Sequence, residues 1–354
     1  MPSILSLSKI IKTEPGWYRG DFHAHTHFSD GSLPPPDLAD VARAEGLDFF
    51  AITDHNTIDA YPHFGPLDDI LIIPGIEVTA KEGHFNVFGI ESQPDWLAQI
   101  KADPYSLTLR GDLDSFTRLM QHTAAAGLLN SINHPYLTPW DWLDNGTDLR
   151  YLHCLEICND PSFGDNAPAN PQAVAMWTRW LNAGYRITAI GGVDYHHPDI
   201  KKGYTSPQRL SQPTTYVYAE NLSGAAILAA LRQRRAYVSM GPQVTFEAQA
   251  KGSTYGIGDD IGEFEGAIEL SATISHSTGA RARLVKNGEV MTEASLPTGQ
   301  GNLHHRDRIS PAQSAWYRLD VLGDNGEMLV VTNPIFVGPK IEPAQWAYGD
   351  FVGA

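Results

Sequence analysis

The segment DFHAHTHFSDG, residues 21–31, carries histidines at alternate positions. In an extended strand, residues two apart share a face. His23 and His25 therefore point the same way and can grip one metal ion. His27 has the same parity and is open to three roles: ligand, proton donor or a group behind the ligands. Asp30 follows in a turn, where a carboxylate can swing back to a neighbouring ion. Comparable groups recur near other apolar runs. ITDHNT puts His55 after FFAI, PGIEV puts Glu77 inside a strand, and His84 opens the next one. SINHP places His134 just past LLNSI, and GGVDYHH places Asp194 and His196 two apart, again on one face.

These residues need a scaffold that brings them together. The first two-thirds of the chain alternates short apolar runs with helical patterns. WYRGDFHAHTH reads as a strand, and LPPPDLADVARAEG as a proline-started helix stopped by Gly46. Further helices are expected in DLDSFTRLMQHTAAAG, PQAVAMWTRWLNAG and LSGAAILAALRQRR. Strand and helix in this alternation imply an α/β fold with parallel strands and crossover helices, and about seven such units could close into a barrel. Active sites of such barrels lie at the C-terminal ends of the strands. Every group named above except His84 is expected at such an end or in the turn after it. Acidic and imidazole groups gathered there require cations, because buried charges are paired or coordinate metal. Histidine with carboxylate and no thiolate suits Zn²⁺, Mn²⁺ or Fe²⁺ better than Ca²⁺.

The pattern changes at Met240-Gly241-Pro242. Beyond it come alternating runs such as QVTFEAQA and AIELSATIS, with hairpin signals at Asn287-Gly288 and Asp324-Asn325-Gly326. We read 1–240 as the catalytic barrel, 241–340 as an all-β sandwich, and 341–354 as a tail that either packs back or trails free. The chain has 354 residues and a formal net charge of −16, with no basic stripe, so nucleic acid is not an expected partner. No Lys/Arg-rich amphipathic helix or long apolar run points to a membrane. The N-terminal patch lacks a basic leader and a small-residue cleavage site, which leaves the cytoplasm as the default location. Cys154 and Cys158 would lie roughly 13 Å apart along a strand. That is too far for a disulfide, so they read as small buried hydrophobes.

Together, HAHTHFSDG, ITDHN, GIE followed by a histidine, NHP and DYH resemble the PHP (polymerase and histidinol phosphatase) superfamily of metal-dependent hydrolases, over about residues 20–200. The sandwich ending in TNPIFV looks like the extra domain of the carbaryl-hydrolase-like (CehA/McbA-like) subgroup. The resemblance implies a distorted (β/α)7-type TIM-like barrel and up to three divalent ions. It places His23, His25, Glu77 and Asp194 around one ion. Glu77 would share a second ion with His84 and His134. Asp30, His55 and His196 would hold the third. Tyr195 is bulkier than the small residue the resemblance leads us to expect and would narrow the pocket. His197 is an additional imidazole with no family role.

Three such ions would outweigh the carboxylates Asp30, Glu77 and Asp194 and attract a phosphate ester into an acidic protein. A metal-bridging hydroxide would be the nucleophile, since coordination lowers the pKa of water to about 7. Phosphomonoester or diester hydrolysis is the leading expectation, with carboxyl ester or carbamate hydrolysis as the alternative. His27 and His197 are candidate acids for the leaving group. Lys81, Asn159, Tyr195 and Arg318 are candidate substrate contacts. Glu156 reads as a group behind the ligands, and Asp54 as one that orients its loop. A homo-oligomer is compatible with all of this.

Overall fold

The computed structural model describes residues 5–65, 67–100 and 111–353, so the first four residues of the N-terminal patch lie outside it. Seven strands lie side by side in chain order: β1 (Gly16–Asp21), β2 (Phe49–Ile52), β3 (Leu71–Ala80), β4 (Gly83–Phe88), β5 (Leu129–Ile132), β6 (Cys154–Cys158) and β7 (Thr188–Gly191). β1, β2 and β3 pair in parallel, as do β5, β6 and β7. β4 is antiparallel to both neighbours. The all-parallel expectation fails there for a local reason. Only the turn at Lys81-Glu82 separates β3 from β4, and so short a link can only reverse the chain. His84, at the start of β4, thereby lies at the same end of the sheet as the C-terminal ends of the parallel strands.

The sheet curls. Just past β1 and β7, Ala24 bridges to Tyr195. His25 N–H donates to Tyr195 O (2.9 Å), and Tyr195 N–H donates to His23 O (3.1 Å). Phe22, Phe49, Ile73, Phe88, Leu129, Cys154 and Ile190, which come from all seven strands or their ends, meet in one apolar cluster. The Phe22 ring sits 5.3 Å from Phe49 and 5.4 Å from Phe88, both edge-on. A flat sheet could not bring its first and seventh strands together.

Outside this layer lie α1 (Pro35–Ala44), α2 (Phe116–Ala125) and α3 (Asn166–Asn182). α1 starts on Pro35, whose missing N–H is harmless there, and is followed by Gly46 at φ +70°. Ser115 caps α2 by accepting from Arg118 N–H at 3.3 Å. α3 begins ahead of Pro171, which the sequence reading takes as its start. After β8 (Thr214–Ala219), α4 (Gly224–Arg232) adds Ile227, Leu228 and Leu231 to the inner cluster. Thr188, at the start of β7, donates its hydroxyl to Leu231 O at 2.6 Å. α4 therefore closes the end of the roll opposite the histidines.

The remaining strands are β9 (Ala236–Ser239), β10 (Gln243–Ala250), β11 (Ser253–Gly256), β12 (Gly266–Ser275), β13 (Ala280–Lys286), β14 (Glu289–Leu296), β15 (Gly301–Ile309), β16 (Ala315–Leu322), β17 (Met328–Thr332) and β18 (Ile335–Val337). One layer is the sheet β11-β10-β12-β15; the other is β14-β13-β16-β17, with β18 paired to β16. β10 alternates strictly, with Val244, Phe246, Ala248 and Ala250 buried against Tyr317, Leu319 and Val321 in the shared core. The Asn287-Gly288 turn has φ values of 52° and 91°, the left-handed pair a tight hairpin requires.

The second layer does not stop at residue 240. β17 pairs with β9, β9 with β8, and β8 with β1, so one sheet runs from the C-terminal region into the body. The tail packs back. Tyr348 and Phe351 are buried, with the Tyr348 ring 5.9 Å from that of Trp180. Cys154 and Cys158 are buried free thiols, and burial pushes that of Cys154 up to about 12. Among the described residues no helix is long and apolar enough to cross a membrane.

Candidate metal centre

The histidine pair sits just beyond β1, where the chain stays extended around the bridge at Ala24. Alternation holds there, and both rings face inward with centroids 5.1 Å apart. Asp21 ties this segment to the one after β7, since its carboxylate accepts from His23 N–H (2.7 Å) and Val193 N–H (3.1 Å). Gly192 must be glycine, because a Cβ there would lie 2.5 Å from that of His23 and 2.6 Å from Glu156 Oε1. Asp54 accepts from Thr26 N–H (2.7 Å), Thr26 hydroxyl (2.7 Å) and Ser29 hydroxyl (2.6 Å), which fixes the loop leading to Asp30.

Glu77, fully buried on β3, is the common neighbour. Its Oε1 lies 3.1 Å from His23 Nε2, 3.3 Å from His84 Nδ1 and 3.5 Å from His134 Nε2. Its Oε2 lies 2.8 Å from His55 Nδ1 and 3.5 Å from His25 Nε2. Asp194 Oδ1 is 2.9 Å from His25 Nε2 and 3.2 Å from His23 Nε2. Nearer the surface, Asp30 Oδ1 is 3.1 Å from His196 Nε2 and 3.4 Å from His55 Nε2. The donor atoms of His23, His25, Glu77 and Asp194 lie within 4.8 Å of one another, as do those of His55, Glu77 and His84, and those of His25, Asp30, His55 and His196.

Neighbours orient the imidazoles. Glu156 Oε1 sits 3.2 Å from His23 Nδ1, which leaves Nε2 to face Glu77 and Asp194. The other Glu156 oxygen accepts from His134 N–H at 2.7 Å. Thr79 Oγ1 lies 2.6 Å from His55 Nδ1, and Asp194 O lies 2.6 Å from His196 Nδ1. Such outer contacts on ligating histidines are typical of metal sites. His134 and Asp194 adopt φ values of 27° and 55°. This left-handed backbone costs about 1–3 kcal/mol per residue and clusters at functional sites.

The donor set fits divalent cations. His23 Nε2, His25 Nε2, Glu77 Oε2 and Asp194 Oδ1 are buried with no hydrogen-bond partner among the described residues. Orphaned buried polar atoms are costly, and a shared cation satisfies all four. Charge gives the same answer. Burial opposes ionisation of Asp194, but His23, His196 and His25 overcome it and hold the carboxyl well below its usual range. Burial and the neighbouring His196 and His55 push His25 down to about 3. Burial also opposes charge on His55, yet Glu77 and Asp30 raise it to about 10. The carboxylates of this cluster thus favour positive charge among the imidazoles, the sign of charge that divalent ions bring.

A cavity of about 470 Å³ opens above the cluster, with Asp30, His55, His84, His134, Asp194 and His196 in its lining. Leu137, Trp140, Phe163 and Tyr204 also line it, together with Lys81, Lys201, Asn159 and His197. Asn159 is buried and donates to Glu156 Oε2 at 3.2 Å, while Lys81 is exposed at the rim. His197 is buried, with Nδ1 2.6 Å from Asp199 O.

Three expected residues lie elsewhere. His27 is exposed and stacks on Phe28 (4.7 Å), because the chain turns after Thr26 and strand parity ends there. Tyr195 does not narrow the cavity. Asp194 and His196 point inward, so the ring between them points outward into the core. Arg318 faces α3 instead of the pocket. It is buried over Trp177, pairs with Asp320 (2.8 Å) and donates to Thr178 (2.8 Å). Sequence reading missed Asp160, Gln208, Trp140, Phe163 and Tyr204, all in the loops that follow β5, β6 and β7. The one available signal was Asp160, which follows LEICN at a strand's C-terminal end.

No curated protein matches this chain. Among solved structures it is similar to a two-domain protein from Bacteroides vulgatus containing a predicted PHP-like metal-dependent phosphoesterase (19% identity, 90% of this chain and 95% of that one, TM-score 0.48). It is also similar to a candidate metal-dependent phosphoesterase from Bifidobacterium adolescentis (16% identity, 61% and 96%, TM-score 0.39) and to an amidohydrolase from Chromobacterium violaceum (17% identity, 52% and 90%, TM-score 0.36). Residues 21–177, which include every proposed ligand except Asp194 and His196, match the family profile of the PHP domain.

Proposed function

We propose that this protein is a metal-dependent phosphoesterase that hydrolyses small phosphate mono- or diesters at a centre of up to three divalent ions, Zn²⁺, Mn²⁺ or Fe²⁺. The observation that carries the reading is the set of orphaned buried donor atoms on His23, His25, Glu77 and Asp194, gathered beneath an open cavity. His23, His25, Glu77 and Asp194 would hold one ion; Glu77, His84 and His134 a second; Asp30, His55 and His196 a third. When bound, such ions supply a nucleophile at neutral pH and stabilise charge on phosphoryl oxygens. The rest of the chemistry falls to the chain. Glu77 joins the sets through its two oxygens. Glu156 and Thr79 hold ring nitrogens in the ligating tautomer. Lys81 and Lys201 draw an anion to the mouth, and Asn159 offers a fixed amide on the wall. His197 donates Nδ1–H to Asp199 O, so its Nε2 would hand a proton to the leaving group only from the imidazolium, a form that burial disfavours.

The curled sheet with its bridge at Ala24–Tyr195 supports a distorted barrel, and the β layers after residue 240 support the carbaryl-hydrolase-like subgroup. The apolar wall of Leu137, Trp140 and Phe163 keeps a second reading open, hydrolysis of a carboxyl ester or carbamate with an apolar group. Purified protein should carry Zn, Mn or Fe by elemental analysis and should hydrolyse p-nitrophenyl phosphate or its diester faster than p-nitrophenyl acetate. The reverse preference selects the second reading. Protein without bound metal and without either activity after Mn²⁺ or Zn²⁺ loading rejects both.

A further inference from the structure

We infer that Gln208, held by Asp160, is a positioning residue that locks the Asp194–His197 segment and so sets the affinity of the outermost ion site, that of Asp30, His55 and His196. The inference rests on the metal-centre reading above and adds a residue from farther along the connection that supplies Asp194 and His196.

Gln208 is buried in the long connection between β7 and β8. A primary amide offers two donors and one oxygen with two lone pairs, and all are used. Oε1 accepts from His196 N–H (2.9 Å) and His197 N–H (3.1 Å). Nε2 donates to Asp160 Oδ2 (2.9 Å) and Asp194 O (3.1 Å). The amide cannot flip, since an NH₂ group would then face two backbone N–H donors. Asp160 sets its direction. It is itself held, with Oδ1 accepting from Ser162 N–H at 2.7 Å.

The grip falls on a segment with reason to drift. Asp194 has φ 55°, and its carbonyl also lies 2.6 Å from His196 Nδ1. That second contact turns His196 Nε2 toward Asp30, at 3.1 Å. Release of the Gln208 amide frees the Asp194 carbonyl and the His196 N–H together, and with them the tilt of the His196 ring. Around the other ions most of the scaffold does not depend on Gln208: Glu77 lies within β3, Glu156 holds His23 and His134, and Asp194, the one inner ligand on the latched segment, is also tied down through Tyr195, whose N–H donates to His23 O at 3.1 Å. Loss of the latch should therefore fall first on the outermost site, where Gln208 Oε1 is what holds the His196 N–H.

The test is titration of the metal-free full chain with Mn²⁺ and Zn²⁺ by calorimetry, with elemental analysis of stoichiometry. Wild type is compared with Gln208→Ala, Gln208→Glu, Asp160→Asn and the double variant Gln208→Glu/Asp160→Asn. Gln208→Ala should weaken one site about 10–100-fold, the range for an outer partner of a ligand, and leave the tighter sites within about threefold. Asp160→Asn keeps the volume but sets an NH₂ against either the Gln208 NH₂ or the Ser162 N–H, and should weaken the same site. The double variant restores a donor–acceptor pair with polarity reversed and should recover part of the loss that Gln208→Glu alone shows. Unchanged affinity at every site in Gln208→Ala overturns the inference and spares the metal centre. Equal weakening of all sites with a fall in Tm also overturns it, because the role is then structural. A wild-type chain that binds no ion sinks the metal centre and the latch with it.

Discussion

The inner strands have two ends of opposite character. On β3, Leu71 and Ile73 sit in the apolar cluster, while Glu77 lies at the ligand end. β4 runs from His84 to Phe88, β6 from Cys154 to Glu156, and the segment through β7 from Ile190 to Asp194. The lower end is satisfied by its own contacts, with aromatic rings edge to edge and α4 across the opening. The upper end leaves donor atoms without partners. One end is complete as folded, and the other awaits a ligand. Stability and affinity should therefore separate along a single strand.

The sharpest break of that contrast is Glu77→Ala. It removes the carboxylate shared by the inner sets, so metal content should collapse and activity should fall by more than about 100-fold, beyond the loss expected for an outer partner. Retained stoichiometry by elemental analysis would show that Glu77 is not shared. At the other end, Phe49→Ala should cost about 3–5 kcal/mol in urea unfolding, with metals per folded chain unchanged. A loss of metal matching the loss of stability would mean that the two ends are not separable. Glu156→Gln should weaken metal binding about 10–100-fold by calorimetry, since the amide cannot accept from both His23 and His134 N–H.

Proton linkage comes next. His55 has its pKa raised to about 10 in the metal-free protein, so it is protonated at neutral pH and an ion must displace that proton. Affinity should rise with pH, by up to about tenfold per unit for one displaced proton, and level off above the raised pKa. Proton uptake into buffers of different ionisation enthalpy measures it, and release of no proton near pH 7 would contradict it. The smallest effect should come from His27→Ala, which lies outside the cavity. Its kcat/KM should stay within about twofold of wild type, and a larger loss would return His27 to the chemistry.

Much of the upper end was legible because its residues announce themselves locally. His-x-His, Asp-x-His and a histidine just past an apolar run need only strand alternation to be placed. The same rule failed at His27, where the extended segment had already turned; at Tyr195 alternation held and sends the ring away from the cavity, against the expectation that it narrows the pocket. The antiparallel β4 was concealed because a short strand reads the same in either direction. Only the two-residue link before it held the answer. The aromatic wall and the Gln208 amide were not legible, since long loops carry no period. Arg318 shows the same limit in the C-terminal region. Its strand was expected, but the helix it would meet depends on how the layers stack.

The pairing of β17 with β9 has a consequence for anyone dividing this chain. Cutting at residue 240 would strip β9 of its neighbour and bare Tyr216 and Tyr237, whose rings stack at 4.7 Å inside the core they share with the C-terminal strands. An exposed apolar edge of that kind recruits other chains. A fragment ending there should precipitate or assemble into oligomers, whereas the intact chain should melt in one cooperative step.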